Sequence, residues 1–103
     1  MSANDYEFDW DDAKATSNLA KHGVDFRAAM TVLLDPLALT VFDTEHSQDE
    51  ERWVSVGCSS EGMLLLVIHT FIATSSHYAL VRIISARAAT RHERKQYEQG
   101  TLQ

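Results

Sequence analysis

The stretch RIISARAATRHERKQYEQG, Arg82 to Gly100, decides much of the fold because it passes from an apolar segment directly into a polar one. The overlapping segment His77–Ser85 is rich in strand-forming residues and predicts a β-strand. The sequence TRHE that begins at Thr90 is a capping box, in which Thr90 and Glu93 can each satisfy the other's backbone amide. Gly100 suits the end of a helix. The stretch therefore predicts a strand followed by a C-terminal helix.

The predicted C-terminal helix is unusual because it has almost no apolar stripe, and Tyr97 is its only large, partly apolar residue. A helix that is polar nearly all round contributes little to a core. Two interpretations stay open: a solvated terminal helix, or a helix that faces an anionic or protein partner.

Two further helices are predicted near the N-terminus. Asp11 can cap a helix that covers roughly Asp12 to His22, with basic residues at its C-terminal end. Asp25 can cap a second helix, which ends before Pro36 because the residue preceding a proline disfavours the helical conformation. The apolar residues of that second helix have the i, i+3, i+4, i+7 spacing of a buried stripe: Phe26, Ala29, Met30 and Leu33.

Four strands are predicted between these helices, over Leu37–Phe42, Arg52–Ser59, Met63–Ala73 and His77–Ser85. Their short polar connections favour an antiparallel meander. The segment Tyr6–Trp10 alternates weakly and is compatible with a short edge strand. The sequence thus predicts an α+β fold, with two N-terminal helices and a C-terminal helix packed on a small antiparallel sheet of about four strands.

Length and composition favour a single domain over residues 1–103, with one cysteine and therefore no internal disulfide. The acidic N-terminus lacks the basic start and apolar stretch of a signal peptide. The longest apolar run, Met63–Ile68, is far shorter than the roughly 20 residues that a membrane helix needs. We expect a cytoplasmic protein with no membrane contact.

Charge is divided unevenly along the chain, whose formal net charge is -6. Residues 1–51 carry twelve acidic and three basic side chains, whereas residues 52–103 carry three acidic and six basic ones. Net acidity argues against broad non-specific affinity for nucleic acid, but it leaves room for a small basic site. The alternative is that the two halves of the chain pair with each other.

Arg82 is the most unusual residue, because strand alternation places it beside Leu80 and Ile84 on one face. A charge among apolar neighbours is costly unless it is paired. Arg82 must therefore have a carboxylate partner, reach water at the sheet edge, or line a concave site. If Arg87 lies on the same surface, the two arginines form a fork suited to a phosphate.

A second polar group lies on the first predicted helix, where Lys14, Asn18 and Lys21 share one face and His22 follows at the end. The simpler interpretation is a solvated helix surface. Within the apolar strand, His69 is interpreted as a core histidine with satisfied hydrogen bonds.

Metal or cofactor binding is not predicted. The sequence has no H-E-x-x-H and no C-x-x-C motif. The acidic segment DTEHSQDEE, Asp43 to Glu51, lacks an EF-hand pattern and is interpreted as a solvated loop.

Arginine, lysine, histidine and tyrosine side chains suit metal-free RNA cleavage. In that reaction the 2′-hydroxyl attacks the adjacent phosphate, and the protein supplies a base, an acid and cations for the developing charge. Arg82, Arg87 and Lys21 are suited to stabilising the developing negative charge. His22, Tyr97 or Glu93 could transfer protons.

Four blocks of the sequence resemble the BrnT family of bacterial type II toxins: FDWDDAKATSNLAKHGVDF, the dipeptide Asp35-Pro36, EERWVSVG, and the opening stretch. The resemblance covers about residues 8–100. The positions that match are Trp10, Lys14, Asn18, Lys21, His22, Gly23, Glu51, Arg52, Gly57, Arg82, Ser85, Arg87, Glu93, Arg94 and Tyr97.

The resemblance implies a RelE-like fold and a ribonuclease that stops translation. It also implies neutralisation by a BrnA-like antitoxin with a ribbon-helix-helix DNA-binding part, in a hetero-oligomer that contacts DNA only through the antitoxin. Together with the chemistry above, it gives the candidate catalytic residues Arg82, Arg87, His22, Tyr97 and Glu93. The candidate RNA-binding residues are Lys14, Lys21, Arg52, Arg91 and Arg94.

The leading hypothesis is a metal-independent endoribonuclease toxin. The alternative is a catalytically silent subunit that binds an antitoxin and co-represses an operon. A third, weaker hypothesis is a small-molecule-binding α+β domain.

Overall fold

A computed structural model describes residues 5–102 and contains three helices and a six-stranded sheet. In chain order the elements are β1 (Asp5–Asp9), α1 (Asp12–His22), α2 (Phe26–Val32), β2 (Leu39–Phe42), β3 (Trp53–Cys58), β4 (Leu64–His69), β5 (Ile72–Ala73), β6 (Tyr78–Ala88) and α3 (Arg91–Gln99). No helix within the described residues has the length and apolar character needed to cross a membrane.

The sheet differs from the predicted one in its number of strands and in the direction of one edge strand. Its strand order is β1-β6-β4-β3-β2, and the short β5 pairs with the start of β6, so the prediction of about four strands was wrong. The four predicted strands pair antiparallel as expected: β2 with β3, β3 with β4, and β4 with β6. The predicted edge strand near the N-terminus also forms, as β1, but it pairs with β6 in parallel, so the sheet as a whole is mixed. Most of the chain separates these two strands, so no short connection in the sequence reveals how they pair.

The predicted strand Met63–Ala73 is two strands, because β4 ends at His69 and β5 begins at Ile72. His69 still pairs with Ile83, the Thr70 amide donates to the Arg82 carbonyl at 3.0 Å, and β5 then pairs with the start of β6. The register between β4 and β6 shifts by one residue between Ile68 and His69. A β-bulge of this kind inserts an extra residue into one strand. An almost uniformly apolar run has no alternation from which the interruption could be predicted.

The larger core lies between the sheet and the two N-terminal helices. It contains Phe26 and Val32 of α2, together with buried strand residues such as Leu65, Val81 and Ile83. Trp10 packs edge-on against Phe26, with their ring centroids 6.0 Å apart. The apolar residues of α2 and β6 thus meet on one face of the sheet.

The opposite face carries a smaller core under α3. Val56, Leu64 and Leu66 form its buried centre, and Tyr97 and Leu102 pack against them. Although α3 is mostly polar, it is therefore not a freely solvated helix. One aromatic side chain and a few specific polar contacts hold it on the sheet.

The N-caps that the sequence predicts form in α1, α2 and α3, at Asp11, Asp25 and Thr90. The Asp11 carboxylate accepts a hydrogen bond from the Lys14 amide at 3.0 Å. Thr90 and Glu93 form a complete capping box, and Gly100 ends α3 with a φ of 81°. Such caps satisfy amide and carbonyl groups that have no partner inside the helix.

Candidate functional site

An irregularity in β6 brings two of the candidate arginines to the same side of the sheet. In the pairing with β4, Ser85 lies opposite Ile68 and Ile83 lies opposite His69, so Ile84 is extra. Ile83 and Ala86 both join the larger core although they are three residues apart. In a regular strand, residues three apart point to opposite faces. The bulge therefore reverses the alternation within β6.

The bulge determines which side of the sheet each arginine of β6 faces. Val81 and Ile83 face the larger core, so Arg82, which lies between them, faces the other side of the sheet. Beyond the bulge, Arg87 lies opposite Leu66, which packs beneath α3. Arg82 and Arg87 thus share one surface even though they are five residues apart. We call this surface, bearing Arg82, Ser85 and Arg87, the arginine face.

Arg82 has a carboxylate partner and lines a cavity. Its Nε atom donates to Asp9 Oδ1 at 3.3 Å, and the side chains of Arg82 and Asp9 are 56% and 63% exposed. The cavity, of about 220 Å³, is also lined by Glu7 and Glu50. Exposed ion pairs of this kind contribute about 0–1 kcal/mol. Another anion can therefore replace Asp9 at little cost, although the nearby carboxylates oppose it.

Arg87 is held more firmly than Arg82. Its two terminal nitrogens donate to the two carboxylate oxygens of Glu93 at 2.8 and 2.9 Å. The ion pair with Arg87 lowers the pKa of Glu93, and the Thr90 amide also donates to that carboxylate. Glu93 therefore joins the end of β6 to the start of α3. Its carboxylate oxygens are already occupied by the guanidinium and the cap.

Tyr97 is also engaged. Its hydroxyl donates to Asp35 Oδ2 at 2.6 Å, and this hydrogen bond raises the pKa of Tyr97 to about 12. Burial by itself raises the pKa of Asp35, but hydrogen bonds from the Cys58 amide, Tyr97 and the Leu37 amide lower it on balance. Asp35 thus anchors α3 to the end of α2 and to β3. In the sequence Asp35 stands out only beside Pro36, at a helix end and in the dipeptide that contributes to the family resemblance, and no local pattern reveals its distant partners.

Arg52 lies on the same side of the sheet, beside a second cavity of about 220 Å³. This cavity is lined by Asp43, His46, Arg52, Ile68, Ile84 and Ser85. Arg52 Nε is buried without a hydrogen-bond partner, and the nearest carboxylate oxygen, on Glu50, is 3.8 Å from Nη2. The Arg52 side chain is 31% exposed, so its guanidinium can pair with an anion in this cavity.

The same cavity contains a histidine–carboxylate pair, His46 and Asp43, which lies in the loop that was predicted to be solvated. His46 Nδ1 lies 3.0 Å from Asp43 Oδ2 and 3.2 Å from Asp43 Oδ1. The two residues are three apart in the loop that joins β2 to β3. The Asp-x-x-His spacing was visible in the sequence. Its position opposite Ser85 of β6 was not.

The polar group on α1 lies apart from the arginine face. The helix packs its Ala15 on the larger core, and Asn18 is buried through bonds to the backbone of Ala86. Three candidate residues of this helix have exposed side chains that form no hydrogen bond or ion pair with the described residues: Lys14, Lys21 and His22. The structure does not bring them into contact with Arg82 or Arg87.

The two remaining candidates are on α3. Arg91 and Arg94 are both exposed, and they place two positive charges near the Arg87–Glu93 pair in the chain. Among residues 5–102, no group of three or more histidine, cysteine, aspartate or glutamate side chains is arranged to hold a metal ion.

Comparisons with known proteins agree with this architecture. A crystal structure of the Brucella abortus ribonuclease toxin BrnT, at 1.1 Å resolution, superposes with a TM-score of 0.55 and 27% sequence identity. The match covers 80% of this chain and 94% of the Brucella chain. A search of the curated proteins finds no match.

The family model described as the ribonuclease toxin, BrnT, of type II toxin–antitoxin systems matches residues 10–93. This range runs from Trp10, which packs on α2, to Glu93, which closes the pair with Arg87. It includes Arg52, Arg82 and Arg87, the three arginines placed on one side of the sheet. By the match over most of its length and by its α+β structure, the chain belongs to the BrnT family of ribonuclease toxins.

Proposed function

We propose that this chain is a single, RelE-like toxin domain over residues 1–103 that cleaves RNA without a metal ion and thereby inhibits translation in the cytoplasm. The family to which it belongs consists of ribonuclease toxins, which supports an endoribonuclease activity. In the proposed reaction, the 2′-hydroxyl of RNA attacks the adjacent phosphate. Cations on the protein stabilise the negative charge that builds up on the phosphorus oxygens.

The observation that carries this proposal is the placement of Arg52, Arg82 and Arg87 on one side of the sheet. Arg82 is exposed, and its pair with Asp9 is weak enough for an RNA phosphate to replace. Arg52 lines a second cavity on this side, and its ion pair with Glu50 is long, at 3.8 Å. We assign both residues to phosphate binding and charge stabilisation.

Arg87, Glu93 and Tyr97 have a different role in this proposal. Each is engaged in a contact that fixes α3 to the sheet. We assign Glu93 and Tyr97 to positioning the helix rather than to proton transfer. Arg87 then contributes its positive charge from a fixed position.

The exposed basic residues extend the proposed RNA surface. Arg91 and Arg94 on α3, and Lys14 and Lys21 on α1, can each neutralise a backbone phosphate of a longer RNA. His22 has no contact that assigns it to the reaction, so we place it with the RNA-binding residues of α1.

A type II toxin family implies an antitoxin protein as partner. We propose that this partner is a BrnA-like antitoxin with a ribbon-helix-helix part, and that the hetero-oligomer contacts DNA only through it. The acidic N-terminal half of the chain offers a surface for basic segments of such a partner.

One observation favours the alternative, in which the chain is a catalytically silent subunit of an antitoxin co-repressor complex. The cavity at Arg82 is lined by Glu7, Asp9 and Glu50, whose charge repels RNA. A basic segment of an antitoxin would instead be attracted there.

RNA cleavage by the isolated protein distinguishes the two functions. The antitoxin-free chain is incubated with bulk RNA in excess EDTA, beside Arg82→Ala. The matched control is Arg27→Ala, because Arg27 is exposed on α2, beyond the other face of the sheet. We expect cleavage by the wild type and the control, and strongly reduced cleavage by Arg82→Ala. A folded wild type that binds antitoxin but leaves RNA intact would support the silent subunit.

A further inference from the structure

We propose that His46, held in place by Asp43, is the general base of the reaction and that Arg52 binds the reacting phosphate beside it. This inference rests on the proposed ribonuclease function and identifies its proton acceptor. The first supporting observation is that His46, Arg52 and Ser85 line one cavity together.

The hydrogen bond with Asp43 fixes the tautomer of His46. An ionised carboxylate can only accept hydrogen bonds, so the Nδ1 atom 3.0 Å away must carry the proton. In a neutral imidazole, Nε2 is then left with a free lone pair. A carboxylate that orients a histidine in this way also stabilises the imidazolium formed when Nε2 takes up a proton.

The burial of the two residues suits these roles. The Asp43 side chain is only 13% exposed, whereas the His46 side chain is 63% exposed. The Asp43 amide donates to the Arg52 carbonyl at 2.8 Å, which ties the carboxylate to the start of β3. Asp43 is thus a fixed positioning residue, and His46 is open to a substrate.

A phosphate in this cavity would have suitable partners. The Arg52 side chain lines the cavity and is 31% exposed, and its guanidinium carries a charge that can stabilise the phosphorane. Ser85 lies at the bulge of β6 and offers a hydroxyl group to the same space. The arrangement brings a base, a cation and a neutral donor to one cavity.

In the proposed step, Nε2 of His46 takes the proton of the 2′-hydroxyl while the oxygen attacks the adjacent phosphorus. The bond from phosphorus to the 5′-oxygen breaks, and a water molecule protonates that oxygen. The products are a 2′,3′-cyclic phosphate and a 5′-hydroxyl end. The imidazolium then releases its proton to solvent, so atoms and charge balance.

Four charged groups line cavities together with His46. Asp43 and Arg52 line the cavity with it, and Asp49 and Glu50 line a smaller adjoining cavity with His46 and Arg52. Two of the other proton-transfer candidates, Glu93 and Tyr97, are engaged elsewhere, and His22 lies on α1. His46 is therefore the better placed proton acceptor.

The test uses the antitoxin-free full chain with bulk RNA in EDTA over a range of pH. The variants are His46→Gln, His46→Ala and Asp43→Asn, with His92→Gln as the control because His92 is exposed on α3 outside the cavity. We expect His46→Gln to lower the cleavage rate by about 10²–10⁴-fold and to abolish the acid limb of the pH–rate profile. Added imidazole should restore part of the activity of His46→Ala. Asp43→Asn should lower the rate by a smaller factor, because His46 keeps its imidazole but loses the carboxylate that orients it.

The outcomes separate the base assignment from the proposed function. If the folded wild type leaves RNA intact, the proposed function is wrong and the assignment of a base is wrong with it. If the wild type cleaves and His46→Gln cleaves as fast as His92→Gln, only the base assignment is wrong. Loss of activity that imidazole does not rescue, with the acid limb still present, would show that His46 is structural.

Discussion

The side chain of Asn18 forms two hydrogen bonds with the backbone of Ala86, where one edge of β6 has no neighbouring strand. Its Nδ2 donates to the Ala86 carbonyl at 2.9 Å, and its Oδ1 accepts from the Ala86 amide at 3.1 Å. The parallel pairing with β1 ends at Arg82, so the Ala86 backbone has no strand neighbour on this side. The amide of Asn18 takes the place of that strand. It also donates to the Val24 carbonyl at 3.0 Å and so joins α1, the following turn and β6.

Asn18→Ala should therefore destabilise the protein by about 2–4 kcal/mol, because it removes three buried hydrogen bonds and leaves backbone groups unsatisfied. Urea unfolding measures the change, and Ser17→Ala is the control because Ser17 is exposed on the same helix. A loss as small as that of the control would show that water replaces the amide.

Tyr97→Phe should remove the hydrogen bond that anchors α3 to Asp35 and cost about 1–2 kcal/mol, the range for a bond to a charged acceptor that is partly exposed. The folded-state pKa of Tyr97, about 12, lies above its ordinary value of 10.0. Its contribution to stability is therefore complete below pH 10 and is lost as the pH rises towards 12. Ultraviolet titration should show a tyrosine that titrates near pH 12 and is absent from Tyr97→Phe. Tyr78, whose pKa is also raised by its hydrogen bond to Glu7, should titrate late in both proteins. A titration curve unchanged by the substitution would contradict this assignment.

His69 should make the free energy of unfolding sensitive to mild acid. The residue is buried, with Nε2 2.8 Å from the Ser55 hydroxyl and Nδ1 2.9 Å from the Thr70 carbonyl, which confirms the prediction of a satisfied core histidine. Burial lowers the pKa of His69 below 6.5 in the folded state. The unfolded chain therefore binds the proton first, so the contribution is present above pH 6.5 and is lost as the pH falls.

His69→Gln tests this acid sensitivity, because glutamine can donate and accept hydrogen bonds but does not titrate. Its free energy of unfolding should depend less on pH between 7.5 and 5 (an interval of roughly one to two units around the ordinary histidine pKa) than that of the wild type or of His92→Gln. Equal slopes in all three proteins would argue against His69 as the source.

The Arg87–Glu93 pair should contribute only about 1 kcal/mol of coupling energy, because the Arg87 side chain is 39% exposed and water screens the pair. A double-mutant cycle with Arg87→Met and Glu93→Gln measures this coupling. Since Arg87 lowers the pKa of Glu93 below 4.5, the contribution is present above pH 4.5 and is lost as the pH falls. A coupling energy that stays constant down to pH 2, well below the ordinary glutamate pKa, would contradict the ion pair.

The sequence by itself determined the local elements. Asp11, Thr90, Glu93 and Gly100 specify helix ends through contacts within a few residues, and the helices begin and end at or next to them. The order of the blocks also placed the chain in its family. These features depend on neighbouring residues, so they can be predicted from the chain alone.

Only the tertiary structure decided which side chains meet. Regular alternation puts Arg82 and Arg87, five residues apart, on opposite faces, and the bulge that reverses this arises from the pairing of β6 with β4. Pairing across the sheet likewise brings Ser85 to the cavity of Asp43, His46 and Arg52. The loop that contains Asp43 and His46 was predicted to be solvated, and only its position beside β6 makes it a candidate catalytic site. The reason is physical: bulges and strand partners are set by contacts between distant segments, whereas caps and helix periods are set within a turn or two of chain.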